Sequence, residues 1–135
     1  MTLHRIIGAL VLACTLLSCA RKNHAHCWKL VSIDRRSSWG VLIDYSEIMR
    51  MPHHESEYCQ RKGQESIRRA ILLSEQLDAD SLQLPDYRFV SEIQGQLLFG
   101  VTSNDLIYMD GKAFVPSAEL LNRVWQLPRS RKNDR

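Results

Sequence analysis

Apolar and polar positions along the chain divide it into an uncharged leader and a patterned body. Ile6 to Leu17 carries no charge over twelve residues. Trp28 to Ile33 is short and rich in β-formers, which predicts a first strand. After the polar turn Asp34 to Ser38, residues Ser38 to Tyr45 alternate, with Trp39, Val41, Ile43 and Tyr45 on one side, and predict a second strand. Met49 to Cys59 has no period and reads as a loop. Ile67, Ala70, Ile71, Ser74 and Leu77 recur at helical spacing, so a helix is predicted over Gln64 to Leu77, ending at Asp78 to Asp80.

A meander of short strands follows the turn Leu84-Pro85-Asp86. Tyr87, Phe89 and Ile93 share one face of the first strand, and Leu97, Phe99 and Val101 alternate in the next. Gln94-Gly95 and Ser103 to Asp105 supply turns. Asp110-Gly111 is the strongest hairpin signal, because its glycine accepts the positive φ of a type I′ turn; it joins Leu106 to Met109 with Lys112 to Val115. Ser117 can cap a last helix whose apolar stripe is Leu120, Leu121, Val124 and Trp125, and Pro128 ends it. The expected fold is α+β: a small, mostly antiparallel sheet of two N-terminal strands and a three- or four-strand meander, covered by two helices. Trp28, Trp39 and Trp125 are expected in the core, with a partner site as the alternative for Trp39 and Tyr45.

The leader changes the picture most. Met1 to Arg5 carries one positive charge, and the uncharged stretch after it falls short of the ~20 residues that span a bilayer. A basic start, a short apolar run and small residues are the layout of a secretory signal peptide. The run ends Leu16-Leu17-Ser18-Cys19, which resembles the lipobox of bacterial lipoproteins. That resemblance implies a signal peptide over residues 1–18, a palmitate-bearing lipid on Cys19, a tether over 19–26 and anchorage in the cell envelope. Ala20, rather than Asp, after the cysteine implies the outer membrane, facing the periplasm. Ser18-x-Ala20 also fits ordinary signal-peptidase cleavage, which would give a soluble secreted protein of unknown activity. A cytosolic chain with Ile6 to Leu17 buried as a helix is the remaining reading. The domain is expected over 27–128, and Arg129 to Arg135 reads as a basic, disordered tail.

Cysteine usage agrees with export. Cys14 leaves with the leader and Cys19 takes the lipid, so Cys27 and Cys59 remain as an even pair that an oxidising compartment would join. Two unpaired buried thiols are the alternative. Four of the five histidines flank this pair: His24 and His26 before Cys27, His53 and His54 before Cys59. A bridge drawing both groups together would offer imidazoles to Zn²⁺ or Cu²⁺, with Glu55 or Glu57 in support, and a reduced Cys27 could be a ligand instead.

Charge narrows the partners. The net charge of +3 is weak and its basic residues are scattered, which excludes the stripe a nucleic-acid binder shows. Arg68-Arg69 reads as a solvated helix face or a docking patch for an acidic partner. The chain lacks a Gly-rich phosphate loop and a G-x-S-x-G elbow, and His54-Glu55 has no second histidine at zincin spacing. Asp78-Ala79-Asp80 lacks the later ligands and glycine of a calcium loop. The expectation is a non-catalytic envelope protein that grips a protein partner. Its profile resembles that of periplasmic lipoprotein immunity factors and of lysozyme-type inhibitors; envelope metal binding is the alternative.

Overall fold

The computed structural model describes residues 25–78, 80 and 83–127. Among these residues seven strands form one antiparallel sheet: β1 (Trp28–Ser32), β2 (His54–Tyr58), β3 (Glu75–Gln76), β4 (Tyr87–Ile93), β5 (Gln96–Thr102), β6 (Ile107–Met109) and β7 (Lys112–Val115). Their order across the sheet is β2-β1-β4-β5-β6-β7-β3. Among the described residues three helices are complete: α1 (Tyr45–Arg50), α2 (Arg61–Leu72) and α3 (Ala118–Gln126). The α+β class and the four-strand meander β4 to β7 are as the sequence predicts, and the sheet is larger. Among the described residues no helix is long and apolar enough to cross a membrane.

Both faces of the sheet are packed. On one, Trp28, Leu30, Phe89, Phe99, Val101, Ile107 and Phe114 meet Ile67 and Ile71 of α2 and Leu120, Leu121 and Val124 of α3. On the other, Val31, Ile33, Tyr87 and Val90 pack with Ile43 and with Ile48 of α1. Alternation along β1 explains the split, since Trp28 and Leu30 point one way and Val31 the other.

The meander turns follow their sequence signals. Gln94 and Gly95 have φ of 51° and 75°, and Asp110 and Gly111 of 53° and 72°, the paired positive values of tight hairpins. Ser117 caps α3 by accepting a bond from the Leu120 amide.

Four expectations are corrected. The residues predicted as a second strand, Ser38 to Tyr45, form an irregular excursion that leads into α1. Asp44 caps that helix, its side chain accepting from the Glu47 amide at 2.8 Å; the Asp44…Glu47 spacing outweighs the apparent alternation. The second strand is β2, inside the stretch expected to be a loop. Its residues alternate in burial, Ser56 and Tyr58 inward and Glu55 and Glu57 outward, without two large apolar side chains to announce it.

Helix α2 runs from Arg61 and stops at Leu72, short of the predicted Leu77. Ser74 Oγ turns back to the Ala70 carbonyl, and Leu77 N donates to Ala113 O of β7. Finally, Tyr87 and Phe89 lie on opposite faces, as do Leu97 and Phe99. Register shifts between Tyr87 and Phe89 and between Ser91 and Glu92 leave Arg88 and Leu98 as extra residues in β-bulges, which reverse the side-chain alternation.

Candidate functional site

Cys27 and Cys59 are joined by a disulfide with a Cα separation of 4.2 Å. Pairing of Trp28 with Tyr58 in the β1–β2 ladder, extended by one position, sets the cysteines opposite each other. The residues just before Cys27 are tied to the domain as well. Gln64 Nε2 donates to both His26 O and Tyr58 O at 2.9 Å, and Gln94 Nε2 reaches Ala25 O.

The histidines do not converge. His26 Nε2 lies 2.9 Å from the Cys59 carbonyl, and its Nδ1 is buried without a partner. His53 and His54 sit at the opposite end of β2, because the segment expected to fold back as a loop is extended, and five residues of strand cover about 17 Å. His53 places Nδ1 2.7 Å from Met51 O and Nε2 3.2 Å from Glu55. Among the described residues the grouping of metal-ligand type is Cys27, Glu57 and Cys59, with ligand atoms within 4.8 Å, and both sulfurs are taken by the bridge. Cys19 and His24 lie outside the described residues.

Glu55 and Glu57 are exposed and share a sheet face with Lys29 and Glu92. Lys29 Nζ sits 2.6 Å from Glu55 and 4.0 Å from the nearly buried Glu92. The Lys29 bond, then that of His53, holds the Glu55 carboxyl below its ordinary range, and Glu55 in turn raises the Lys29 ammonium. Arg68 and Arg69 are solvent-exposed on α2.

The most unusual surface lies at the other end of the sheet. Six residues of extended chain, about 20 Å, separate Cys27 from Ile33, where the excursion 34–44 departs. Its tip carries Trp39, Val41 and Leu42, which are 51%, 67% and 54% exposed. Trp39 is thus outside the core, unlike Trp28, which is 2% exposed, and Trp125, which packs edge-on against Phe89. Tyr45, its expected companion on a strand, belongs to α1 and packs partly buried against Ile48 and its neighbours.

The excursion is clamped. Arg88, turned out of the ladder by its bulge, is buried and donates through Nε and Nη2 to Ser37 O and through Nη1 to Asp86 at 2.7 Å. Asp86 Oδ1 also accepts from the Ile43 amide at 2.8 Å, and Tyr87 N donates to Ile43 O. Burial works against the Asp86 charge, but the Ile43, Arg88 and Ser103 bonds outweigh it and keep this carboxyl below its ordinary range. Arg35 reaches Asp105 at 3.2 Å and lies over the Trp125 ring.

Beside the tip is a cleft of about 310 Å³, lined by Leu42, Leu77, Leu84, Asp86, Tyr108 and the turn Thr102 to Asn104. Tyr108 stacks edge-on with Tyr87, whose hydroxyl is pushed up to about 12 by burial and by Tyr108. Sequence reasoning did not find the Asp86–Arg88 clamp or the cleft. Pro85-Asp86 read only as a turn, and a bulge leaves no mark in a hydrophobic pattern.

Protein-family models, curated proteins and solved structures were each compared with the chain, and none matches it.

Proposed function

We propose that this chain is a small lipid-anchored protein of the bacterial cell envelope that binds, without catalysis, a protein partner of the kind that immunity or inhibitor proteins neutralise. Leader and lipobox-like residues support the anchorage, and the Cys27–Cys59 bridge suits an oxidising compartment. One observation carries the binding role: Trp39, Val41 and Leu42 are held out to solvent together on a loop fastened at Ser37 and Ile43 by Arg88 and Asp86. A rigid display of a tryptophan with aliphatic neighbours is the chemistry of an interface hot spot, because little side-chain and loop entropy is lost on docking. The loop leaves β1 at the end opposite Cys27, which in this reading sets it away from the lipid and toward a periplasmic partner.

Two measurements test the reading. Palmitate should label the wild-type protein and not Cys19→Ser; equal labelling refutes the anchor. A partner captured from the native envelope should bind Trp39→Ala and Val41→Ser at least about tenfold more weakly. Equal retention by wild type and both variants refutes the docking surface.

A further inference from the structure

We infer that the outer edge of β2 is a docking strip for an extended protein segment with basic residues at alternate positions, which adds to the sheet antiparallel to β2. This surface is separate from the Trp39 loop, and either assignment can fail alone. β2 stands first in the sheet order and pairs on one side only, with β1. Every ladder of the sheet is antiparallel, so a segment joining it antiparallel continues the same bonding.

The main-chain groups that β2 offers follow from β1. Ile33 N donates to Arg88 O at 3.0 Å, so Ile33 turns its main chain toward β4. Main-chain groups alternate along a strand. Val31 and Lys29 therefore also turn toward β4, and Trp28, Leu30 and Ser32 turn toward β2. Their register partners His54, Ser56 and Tyr58 are the residues of β2 that bond to β1. Glu55 and Glu57 then direct their N–H and C=O groups outward, and among the described residues nothing bonds them. The Cys27–Cys59 bridge ties the end of β2 to β1, so this edge is fixed before a segment arrives.

The same two residues set the chemistry of the occupant. Their exposed carboxylates share a face with Glu92 and with Lys29, whose ammonium reaches Glu55 at 2.6 Å and Glu92 at 4.0 Å. Three carboxylates thus share one lysine; His53 also meets Glu55, and among the described residues no cation pairs with Glu57. Residues directly across from Glu55 and Glu57 exchange main-chain bonds with them and set their side chains on this acidic face, about 5 Å away between Cβ atoms. Lysine or arginine is attracted at both positions, and a carboxylate is repelled. On the other face Ser56 is 7% exposed and its Oγ has no hydrogen-bond partner. A serine or threonine between the two basic residues lies opposite it and supplies one.

The test titrates the full-length, ¹⁵N-labelled protein carrying Cys19→Ser with acetyl-Thr-Lys-Thr-Lys-Thr-amide. The amides of Glu55 and Glu57 should shift and exchange more slowly with solvent, and that of Trp39 should not. Methylating the main-chain nitrogens of both lysines removes the donors that face Glu55 and Glu57, and should weaken binding about tenfold. Glu55→Gln/Glu57→Gln, two exposed positions, should weaken it about fivefold. No shift, or equal binding by the methylated peptide, by acetyl-Thr-Glu-Thr-Glu-Thr-amide or by the glutamine variant, overturns the inference. Trp39→Ala should bind the peptide as wild type does; a matching loss overturns the assignment to β2. Two results without peptide also overturn it. If removing residues 128–135 moves the Glu55 and Glu57 amides, the edge belongs to the chain's own Arg129-Ser130-Arg131. If those amides move with protein concentration, it belongs to a second copy.

Discussion

Asp86, just ahead of β4, and Arg88, two residues on within it, grip opposite sides of the same excursion: Asp86 accepts the Ile43 amide and Arg88 donates to the Ser37 carbonyl, while the two bond to each other at 2.7 Å. Arg88 is buried, so removing its counter-charge leaves a guanidinium in an apolar setting with only carbonyl partners. Asp86→Ala is expected to cost about 3 kcal/mol in urea unfolding, within the range for breaking a buried pair. A loss below about 0.5 kcal/mol, the level of an ordinary surface change, would show that the clamp is dispensable.

The same carboxylate sets an acid dependence. Its folded pKa lies below the ordinary value of 3.8, so its contribution is present above that value and is lost as pH falls through the lower folded one. The stability difference between wild type and Asp86→Asn should therefore shrink on acidification from pH 5 toward pH 2 (about the range over which carboxylates titrate). A difference that stays constant over that window removes the charge from the account.

Reducing the Cys27–Cys59 bridge should lower stability by about 3–4 kcal/mol in the chain-entropy account, given its sequence separation of 32. The β1–β2 ladder from Trp28–Tyr58 to Ser32–His54 does not depend on the sulfurs. Amide protection in Leu30 and Ser56 should therefore persist in Cys27→Ser/Cys59→Ser at temperatures where the variant is folded. Loss of protection in β2 alone would mean that the bridge, rather than the ladder, holds the edge strand.

Ser91 is fully buried, pairs across the sheet with Leu30 and Phe99, and its Oγ has no hydrogen-bond partner. Burying an unsatisfied hydroxyl is unfavourable, so Ser91→Ala should be neutral or stabilising by up to about 1 kcal/mol. A clear loss of stability in thermal unfolding would reveal a bond for that hydroxyl.

Gly100 lies under the Tyr87 ring: a Cβ there would stand 2.3 Å from Tyr87 Cε1. Gly100→Ala should cost about 1–3 kcal/mol by displacing the ring. It should also alter the Tyr87–Tyr108 contact, visible as a shift of the Tyr108 ring resonances. An unshifted Tyr108 would show that the Tyr87–Tyr108 contact survives the substitution.

Legibility in the sequence tracked how local each determinant is. The hairpins at Gln94-Gly95 and Asp110-Gly111 depend on backbone angles set by two residues, and both formed as expected. Strand β2 was missed because its hydrophobic content is one tyrosine; pairing with β1 makes it a strand, and pairing is not local. Alternation at Trp39, Val41 and Ile43 imitated a strand, while the Asp44–Glu47 cap that decides the segment stood at its end. The candidate site was the least legible. It needs the bulge at Arg88, the return of Ser37 toward it, and a cleft assembled from residues far apart along the chain. The disulfide could be foreseen from parity and compartment, but the separation of the histidines could not, since it follows from β2 being extended.

Strand β2 closes one side of the sheet, and its outward face carries Glu55 and Glu57. A second molecule adding its own β2 antiparallel about Ser56 would set Glu55 of each against Glu57 of the other, like charges directly across a ladder. The lysine close by is already engaged with its own Glu55 and offers no relief. Molecules brought side by side at high concentration would thus repel along this border instead of zipping into a ribbon.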